Sequence, residues 1–207
     1  MNKLVKISNY NKIIKTRSTI IKPITKNEIS ENYITWLNDP EINKYLEVRH
    51  TKQTKTGAID YINSLRKQHN CDMFAIFDNE NNTHIGNLTI TSFNNNNNGS
   101  IDFGVMIGDK DSRSTGIGAE VILSFIDFIF SYEMIERISA GAASDNIKSC
   151  KTLESIGFLK EGVRRKIFLL NNGNKCDYNY YGLLKEEWCK KRTRFINFLN
   201  ISEVISI

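Results

Sequence analysis

Two glycines one residue apart, followed at once by a long apolar run, constrain this chain more than any other feature. Gly116 and Gly118 stand in the segment 113–130, written RSTGIGAEVILSFIDFIF. Glycine lets the backbone adopt conformations closed to other residues and lets a ligand approach the chain closely. Apolar side chains then recur at the spacing of one helical face, at Ile122, Phe125, Ile126 and Ile129. The segment therefore predicts a glycine turn joined to the start of a buried helix.

The first turn of such a helix suits a phosphate group. Its N–H groups have no partner within the helix, and the helix dipole places partial positive charge there. A turn that merely links a strand to a helix fits the glycine spacing equally well. Two other phosphate-binding loops are excluded, because the dinucleotide fingerprint needs a third glycine where Val121 stands and the P-loop needs a Gly-Lys-Ser/Thr ending.

Length and charge narrow the class of protein. A chain of 207 residues predicts one domain with extensions, and its net charge of +5 suits an anionic ligand without requiring nucleic acid. No apolar run approaches the roughly 20 residues of a membrane span, and the first residues lack the apolar core of a signal peptide. We expect a cytoplasmic protein, as a monomer or homodimer, with no nucleic-acid or membrane partner.

Metal and disulfide chemistry find little support in the sequence. Its cysteines are widely spaced, without a Cys-x-x-Cys pair or a nearby histidine, so we expect reduced thiols and no metal. They are Cys71, Cys150, Cys176 and Cys189. The three histidines are also scattered, which argues against a histidine-based triad.

The order of predicted elements indicates a mixed α/β fold. A strand and helices are followed by three antiparallel-looking strands, then helix, strand, helix and a closing hairpin. We predict an N-terminal extension over residues 1–16, a domain over 17–188 and a C-terminal extension over 189–207.

Three stretches, in this order and spacing, resemble motifs of the GNAT acetyltransferase superfamily: WLNDPEI, SRSTGIGAE and NIKSCKTLESIGF. The likeness covers about residues 18–187, and the first stretch is similar to the RimJ/RimL-type branch. The resemblance implies a central, mostly antiparallel twisted sheet with helices on both faces. It also implies that the fourth strand splays from its neighbour and leads into the glycine turn.

The same resemblance implies acetyl-CoA as the acetyl donor. Its pyrophosphate would lie on the glycine loop, defined as residues 113–119: Arg113, Ser114, Thr115, Gly116, Ile117, Gly118 and Ala119. The thioester would be held by the backbone of Val105, Met106 and Ile107, and the pantetheine arm by Asn146. Ser114 and Thr115 stand where the branch often has glycine and lysine, so the loop lacks one positive charge.

Acetyl transfer to an amine needs a base and a route for the leaving thiolate. Asp102 matches a carboxylate of the branch and is the predicted base, although a structural or substrate-anchoring role fits it as well. The tyrosine that many relatives use as an acid is replaced by Leu153. Ser149 is the predicted substitute, with helix capping as its alternative role.

The acceptor is the least constrained part of the prediction. Glu47 and Arg49, in YLEVR, are the candidate substrate contacts, and a solvated ion pair is the alternative. We expect a small primary amine, with a nucleotide-linked amino sugar of surface-polysaccharide synthesis as the first choice. A protein N-terminus is the runner-up, and a non-catalytic acyl-CoA-binding module is the alternative from a different class.

Overall fold

A computed structural model describes residues 12–68, 71–92, 99–199 and 203–206. These residues form one sheet with the strand order β7-β8-β6-β5-β4-β3-β2-β1-β9. The strands are β1 Lys12–Lys15, β2 Thr19–Pro23, β3 Cys71–Asp78, β4 His84–Ser92, β5 Ser100–Ile107, β6 Arg137–Ala143, β7 Leu159–Leu169, β8 Lys175–Leu184 and β9 Glu203–Ser206.

The sheet is antiparallel at every pairing except that of β5 with β6. The helices are α1 Glu31–Asn38, α2 Pro40–Asn43, α3 Lys55–Lys67, α4 Ile117–Phe130, α5 Ile147–Ile156, α6 Lys185–Lys191 and α7 Ile196–Leu199. Short 3-10 turns span Lys26–Glu28, Glu47–His50 and Arg192–Phe195.

Helices cover both faces of the sheet, as the family resemblance implies. On one face, α4 and α5 pack on the sheet through side chains such as Phe125, Ile126 and Leu153, none of them more than 4% exposed. On the other face, α1 and α3 pack through side chains such as Trp36 and Ile62. Each helix buries an apolar stripe against the sheet, which is the main source of its stability.

Part of each predicted extension belongs to the sheet. β1 lies within residues 1–16 and β9 within 189–207, and the two strands pair with each other. Neither strand shows a periodicity that predicts it, because β1 and β9 have only four residues each. The domain boundaries at residues 16 and 188 stay a prediction.

A buried glutamate ties the turn between β1 and β2 to the start of α4. Glu120 accepts hydrogen bonds from the Ser18 N–H, at 2.8 Å, and from the Thr16 hydroxyl. These contacts anchor the first turn of α4, and with it the glycine loop that precedes the helix.

The strands β5 and β6 separate part-way along their length. Their pairing runs only from Ser100–Arg137 to Phe103–Ala140. Beyond that point β5 stays paired with β4 as far as Ile107, and β6 stays paired with β8 as far as Ala143. The two strands therefore open into a fork, formed by residues 104–107 of β5 and 141–143 of β6. This is the predicted splay, and β1 makes the splayed strand the fifth rather than the fourth.

Candidate active site

The glycine loop connects the end of β5 to α4 in a conformation that needs glycine. Gly116 caps α4 with a φ of 96°, in the left-handed region, and Ser114 also has a positive φ of 65°. No heavy atom lies within 4 Å of a Cβ built on Gly116, and the nearest to Gly118 is Ile107 Cγ1, at 3.9 Å. The space above both glycines is therefore open. At the start of α4 the Ile117 N–H donates to Thr115 Oγ1 at a long 3.5 Å, and the N–H groups of the next residues have no partner within the helix.

Arg113 fixes the base of this loop. Its Nε donates to the Ile107 carbonyl at 2.9 Å, and a terminal nitrogen donates to the Gly108 carbonyl at 3.2 Å. Both acceptors lie at the end of β5, so the guanidinium joins the strand to the loop. These contacts favour a role in shaping the loop over direct contact with a phosphate.

The positive charge that the loop sequence lacks comes from α5. Lys148 lies in the first turn of this helix, and its Nζ donates to Ser114 Oγ at 3.0 Å. The side chain is exposed, so it is accessible to a ligand on the loop. The sequence analysis did not identify Lys148, because this residue lies 31 positions after Ile117, the first residue of α4. Its position between Asn146 and Ser149 was the available signal.

Asn146 and Ser149 stand at the start of α5, beside the same loop. The Asn146 side chain accepts from the Ser149 N–H at 3.3 Å and so caps the helix. Both residues are half-buried. Leu153 is 4% exposed and belongs to the apolar core. The position of the missing tyrosine therefore carries no polar group.

The backbone of the fork is open on the side of β5 that faces β6. Val105 and Met106 are half-buried and pack on opposite faces of the sheet. Gly104, between them and Asp102, is exposed, and no atom lies within 4 Å of a Cβ built there. A thioester entering the fork could thus reach the main chain of residues 105–107.

Asp102 lies two residues before the fork. It is paired with Thr91 on β4 and Ser139 on β6. Because successive strand residues face opposite sides, Asp102 faces away from the core that holds Ile101 and Phe103. The carboxylate accepts no hydrogen bond from the described residues, and burial raises its pKa to about 6. A half-buried, unpaired carboxylate of this kind favours the base over the structural role.

An aromatic wall stands on the same face of the sheet, formed by Phe168, Tyr178 and Tyr180. The ring centroids of Phe168 and Tyr178 are 5.7 Å apart and the rings are stacked, while Tyr180 meets Tyr178 edge-on at 5.2 Å. The Arg164 guanidinium lies 4.9 Å from the Tyr180 centroid. Sequence reasoning missed this wall, because its members come from two strands of a hairpin that was predicted only as a closing element.

Arg49 lies against Phe168 of the aromatic wall, and its guanidinium makes contacts within the fold. Its guanidinium donates to the carbonyls of Leu46 and Leu169 and lies 4.0 Å from the Phe168 centroid. The side chain is 1% exposed, whereas that of its ion-pair partner Glu47 is 80% exposed. These contacts favour a structural role for Arg49, joining the 3-10 turn to the end of β7, while Glu47 remains accessible.

Two general features complete the description of the site. In the described ranges, no helix combines the length and apolar character needed to cross a bilayer. Over the same ranges, no three His, Cys, Asp or Glu side chains cluster closely enough to hold a metal ion, and Cys150, Cys176 and Cys189 are thiols outside any disulfide.

A forked sheet, a glycine loop and a helix that starts at the loop match one family. The family model described as "Acetyltransferase (GNAT) domain" matches residues 19–159, more than half of the chain. The chain belongs to the GNAT acetyltransferase family. It is therefore an acyltransferase, and the predicted fold class and enzyme class are confirmed.

Known proteins similar to this GNAT acetyltransferase span several acceptors. An uncharacterized N-acetyltransferase, p20 of Bacillus licheniformis, is 28% identical over 153 residues, which are 73% of this chain and 84% of that protein. Among solved structures, spermidine N-acetyltransferase from Vibrio cholerae, in complex with CoA and spermine, has a TM-score of 0.73 and 18% identity. That match covers 83% of this chain and 98% of the other.

A third similar protein is a ribosomal-protein-S5-alanine acetyltransferase from Vibrio fischeri. It has a TM-score of 0.71 and 20% identity, and the match covers 85% of this chain and 98% of the other. At these identities the two solved structures show the GNAT fold and leave the acceptor open. The RimJ/RimL-type branch and the amino-sugar role stay predictions.

Proposed function

We propose that this GNAT acetyltransferase transfers acetyl directly from acetyl-CoA to a primary amine of a small molecule, with Asp102 as the base. The observation that carries the proposal is the position of Asp102. This half-buried carboxylate, which accepts no hydrogen bond from a described residue, lies two residues before the fork between β5 and β6. A carboxylate there would meet an amine on one face of the sheet while the donor occupies the fork.

The donor would be held by main chain and by one lysine. The N–H groups of the glycine loop bind the pyrophosphate, the α4 dipole adds to this attraction, and Lys148 supplies the positive charge. The main chain of residues 105–107 aligns the thioester and donates a hydrogen bond to its carbonyl. Most of the rate gain comes from this positioning.

Asp102 would prepare the acceptor. With a pKa of about 6, it is mainly ionised at neutral pH and can take a proton from the acceptor ammonium, directly or through a water molecule. The neutral amine then attacks the thioester carbon, and the carbon–sulfur bond breaks. Leu153 cannot donate a proton to the leaving thiolate. Ser149, the proton donor predicted from the sequence, is a weaker acid than a thiol and could only hydrogen-bond to it, so the proton itself would come from solvent.

The proposed acceptor is a nucleotide-linked amino sugar, on different grounds from those the sequence offered. Arg49 no longer supports an anionic acceptor, because its guanidinium is used by main-chain carbonyls. Arg164 takes its place in the proposal: it is exposed, makes no hydrogen bond or ion pair with a described residue, and lies on Tyr180. A guanidinium beside aromatic rings suits a phosphate attached to a sugar or base.

A protein N-terminus is the second candidate acceptor. The exposed, acidic Glu47 and the carboxylate of Asp102 would favour a cationic amine, and the similar Vibrio fischeri protein is named for acetylation of a ribosomal-protein alanine. A protein N-terminus needs no contact between Arg164 and an anion, whereas a nucleotide-linked amino sugar does. The effect of removing Arg164 therefore distinguishes the two acceptors.

A thiol-release screen tests the proposal. The purified protein is given acetyl-CoA with UDP- or dTDP-linked amino sugars, spermidine, or peptides with free N-termini. We expect turnover with at least one nucleotide-linked amino sugar. Turnover of peptides alone would replace the sugar by the N-terminus. Binding of acetyl-CoA in isothermal titration without thiol release for any amine would contradict the proposed catalysis.

A further inference from the structure

Acetyl transfer creates charge on the sulfur of CoA as the carbon–sulfur bond breaks, and the structure offers few groups to stabilise it. Leu153 is apolar and buried. The Ser149 hydroxyl is a very weak acid, and its own N–H is already used in the cap of α5. A second phenol near the fork therefore becomes relevant, although it comes from β8 rather than from α5.

Tyr178 of β8 points its ring toward the fork. It pairs with Ala143, the last residue of β6, but its ring lies over Gly141, two residues nearer to the point of separation. A Cβ built on Gly141 would lie 2.6 Å from the Tyr178 hydroxyl oxygen and in contact with the ring. Gly141 is the first residue of β6 beyond its pairing with β5. The bare glycine thus makes room for the phenol at the mouth of the fork.

The phenol is held in place but is not used by the fold. Phe168 stacks on one side of the ring at 5.7 Å, with 19° between the ring planes, and Tyr180 meets it edge-on. No described residue hydrogen-bonds to the Tyr178 hydroxyl, and the side chain is half-buried. A rigid, partly buried hydroxyl without a partner is a donor available to a ligand.

Electrostatics decide what this hydroxyl can do. Burial, with smaller effects from Asp102, Tyr180 and Glu47, raises the pKa of Tyr178 to about 12. A thiol has an ordinary pKa of about 8.5, so a full proton would not move from the phenol to the thiolate. The neutral O–H persists at every working pH, however, and can donate a hydrogen bond to developing negative charge.

We propose that the Tyr178 hydroxyl donates a hydrogen bond to the sulfur of acetyl-CoA as the thioester bond breaks. The electron pair of that bond goes to sulfur. Asp102 first passes the proton of the acceptor ammonium to solvent and then accepts the proton that the nitrogen releases as the amide forms, and CoA leaves as a thiolate that takes a proton from solvent. Tyr178 would then be a catalytic residue at a position that sequence motifs do not mark. This inference rests on the proposed acetyl transfer.

The test compares Tyr178→Phe with Tyr61→Phe, a matched loss of a hydroxyl on the outer surface of α3, where Tyr61 is 50% exposed. For each variant we would measure kcat, both KM values and the dissociation constant for acetyl-CoA. Because the ring is retained, Tyr178→Phe should fold and bind acetyl-CoA within twofold of wild type. Its kcat should fall about 10- to 100-fold, the value of one hydrogen bond to a charged group. An unchanged kcat would overturn the proposal.

Slow hydrolysis of acetyl-CoA in the absence of an amine locates the hydrogen bond. If Tyr178 acts on sulfur, Tyr178→Phe lowers hydrolysis and transfer by similar factors, and the loss is constant from pH 6.5 to 9.5. A loss in transfer alone would mean that Tyr178 orients the acceptor, and would overturn the proposal. Failure of every amine in the screen would contradict the proposed function, while the hydrolysis measurement would still test Tyr178 itself.

Discussion

The two sides of the fork are built by different means. The proposed donor side, comprising the glycine loop and the starts of α4 and α5, would bind mainly through main-chain N–H groups beside glycines that leave open space. The acceptor side, comprising Asp102, Arg164 and the aromatic wall, presents side chains from β5, β7 and β8. A main-chain site suits a ligand that every member of a family shares. A side-chain site can change its ligand by substitution while the fold stays the same.

The largest expected effect lies on the acceptor side. Asp102→Asn removes the base while keeping the shape of the side chain, so kcat should fall by about 10²–10⁴ with acetyl-CoA affinity nearly unchanged. In the wild type, activity should be lost as the pH falls through about 6, because protonation of Asp102 removes the base. Steady-state rates between pH 5 and 8 would check both points.

A wild-type rate and pH profile in Asp102→Asn would remove this residue from the role of base. Asp60→Asn, at an exposed position on α3, is the control for the loss of one negative charge.

The next largest effect distinguishes the roles of Arg49 and Arg164, the two arginines near the aromatic wall. Arg49→Ala removes a buried guanidinium that donates to two main-chain carbonyls, so the free energy of unfolding should fall by about 1.5–3 kcal/mol. Urea denaturation measures this loss. The acceptor KM of the folded fraction should change little, which differs from the substrate-binding role that the sequence suggested.

Arg164→Ala is the matched control for Arg49→Ala. Arg164 is exposed and makes no hydrogen bond with a described residue, so its removal should change stability by less than about 0.5 kcal/mol. With a nucleotide-linked acceptor, kcat/KM should fall by about tenfold or more. An increase in acceptor KM for Arg49→Ala together with no change for Arg164→Ala would reverse this assignment.

On the donor side, Gly116→Val should weaken acetyl-CoA binding at least tenfold, about 1.4 kcal/mol. The added side chain would occupy the open space over the loop and would strain a residue whose φ is 96°. Gly173→Val is the control, because Gly173 has a φ of 83° and equally open surroundings in the β7–β8 turn. Isothermal titration that shows equal acetyl-CoA affinity for the two variants would place the donor elsewhere.

The smallest effect belongs to Lys148. Lys148→Ala should weaken acetyl-CoA binding by about two- to fivefold, because an exposed charge contributes little, and should make binding less dependent on salt. Lys151→Ala removes a nearby exposed charge from the same helix. Equal losses for the two lysines would indicate a general electrostatic effect instead of contact through the loop.

The difference between the donor side and the acceptor side also explains which parts of the site could be predicted from the sequence. Gly116, Gly118 and the apolar run that follows are local in sequence, so the loop and the helix could be predicted from them. The binding of the donor at this loop stays a prediction. Arg113 lies in the same loop, but its contacts with the Ile107 and Gly108 carbonyls depend on how the strand ends and could not be predicted.

The acceptor side could not be predicted in this way. Tyr178 reaches the fork only because Gly141, 37 positions earlier (141 from 178), leaves room for its ring. Arg49 looked accessible beside Glu47, and its burial follows from Leu169, which lies 120 residues away. Pairings between distant strands determine both, and no local spacing encodes them.

A structure of the protein with CoA bound tests the account most directly. We predict the pyrophosphate on the N–H groups of the glycine loop, with Lys148 close to it, and the pantetheine arm between β5 and β6. The sulfur should lie on the face that carries Asp102, within hydrogen-bonding distance of the Tyr178 hydroxyl. A CoA molecule outside the fork, or a sulfur on the α4 face with Asp102 and Tyr178 turned away from it, would contradict the account.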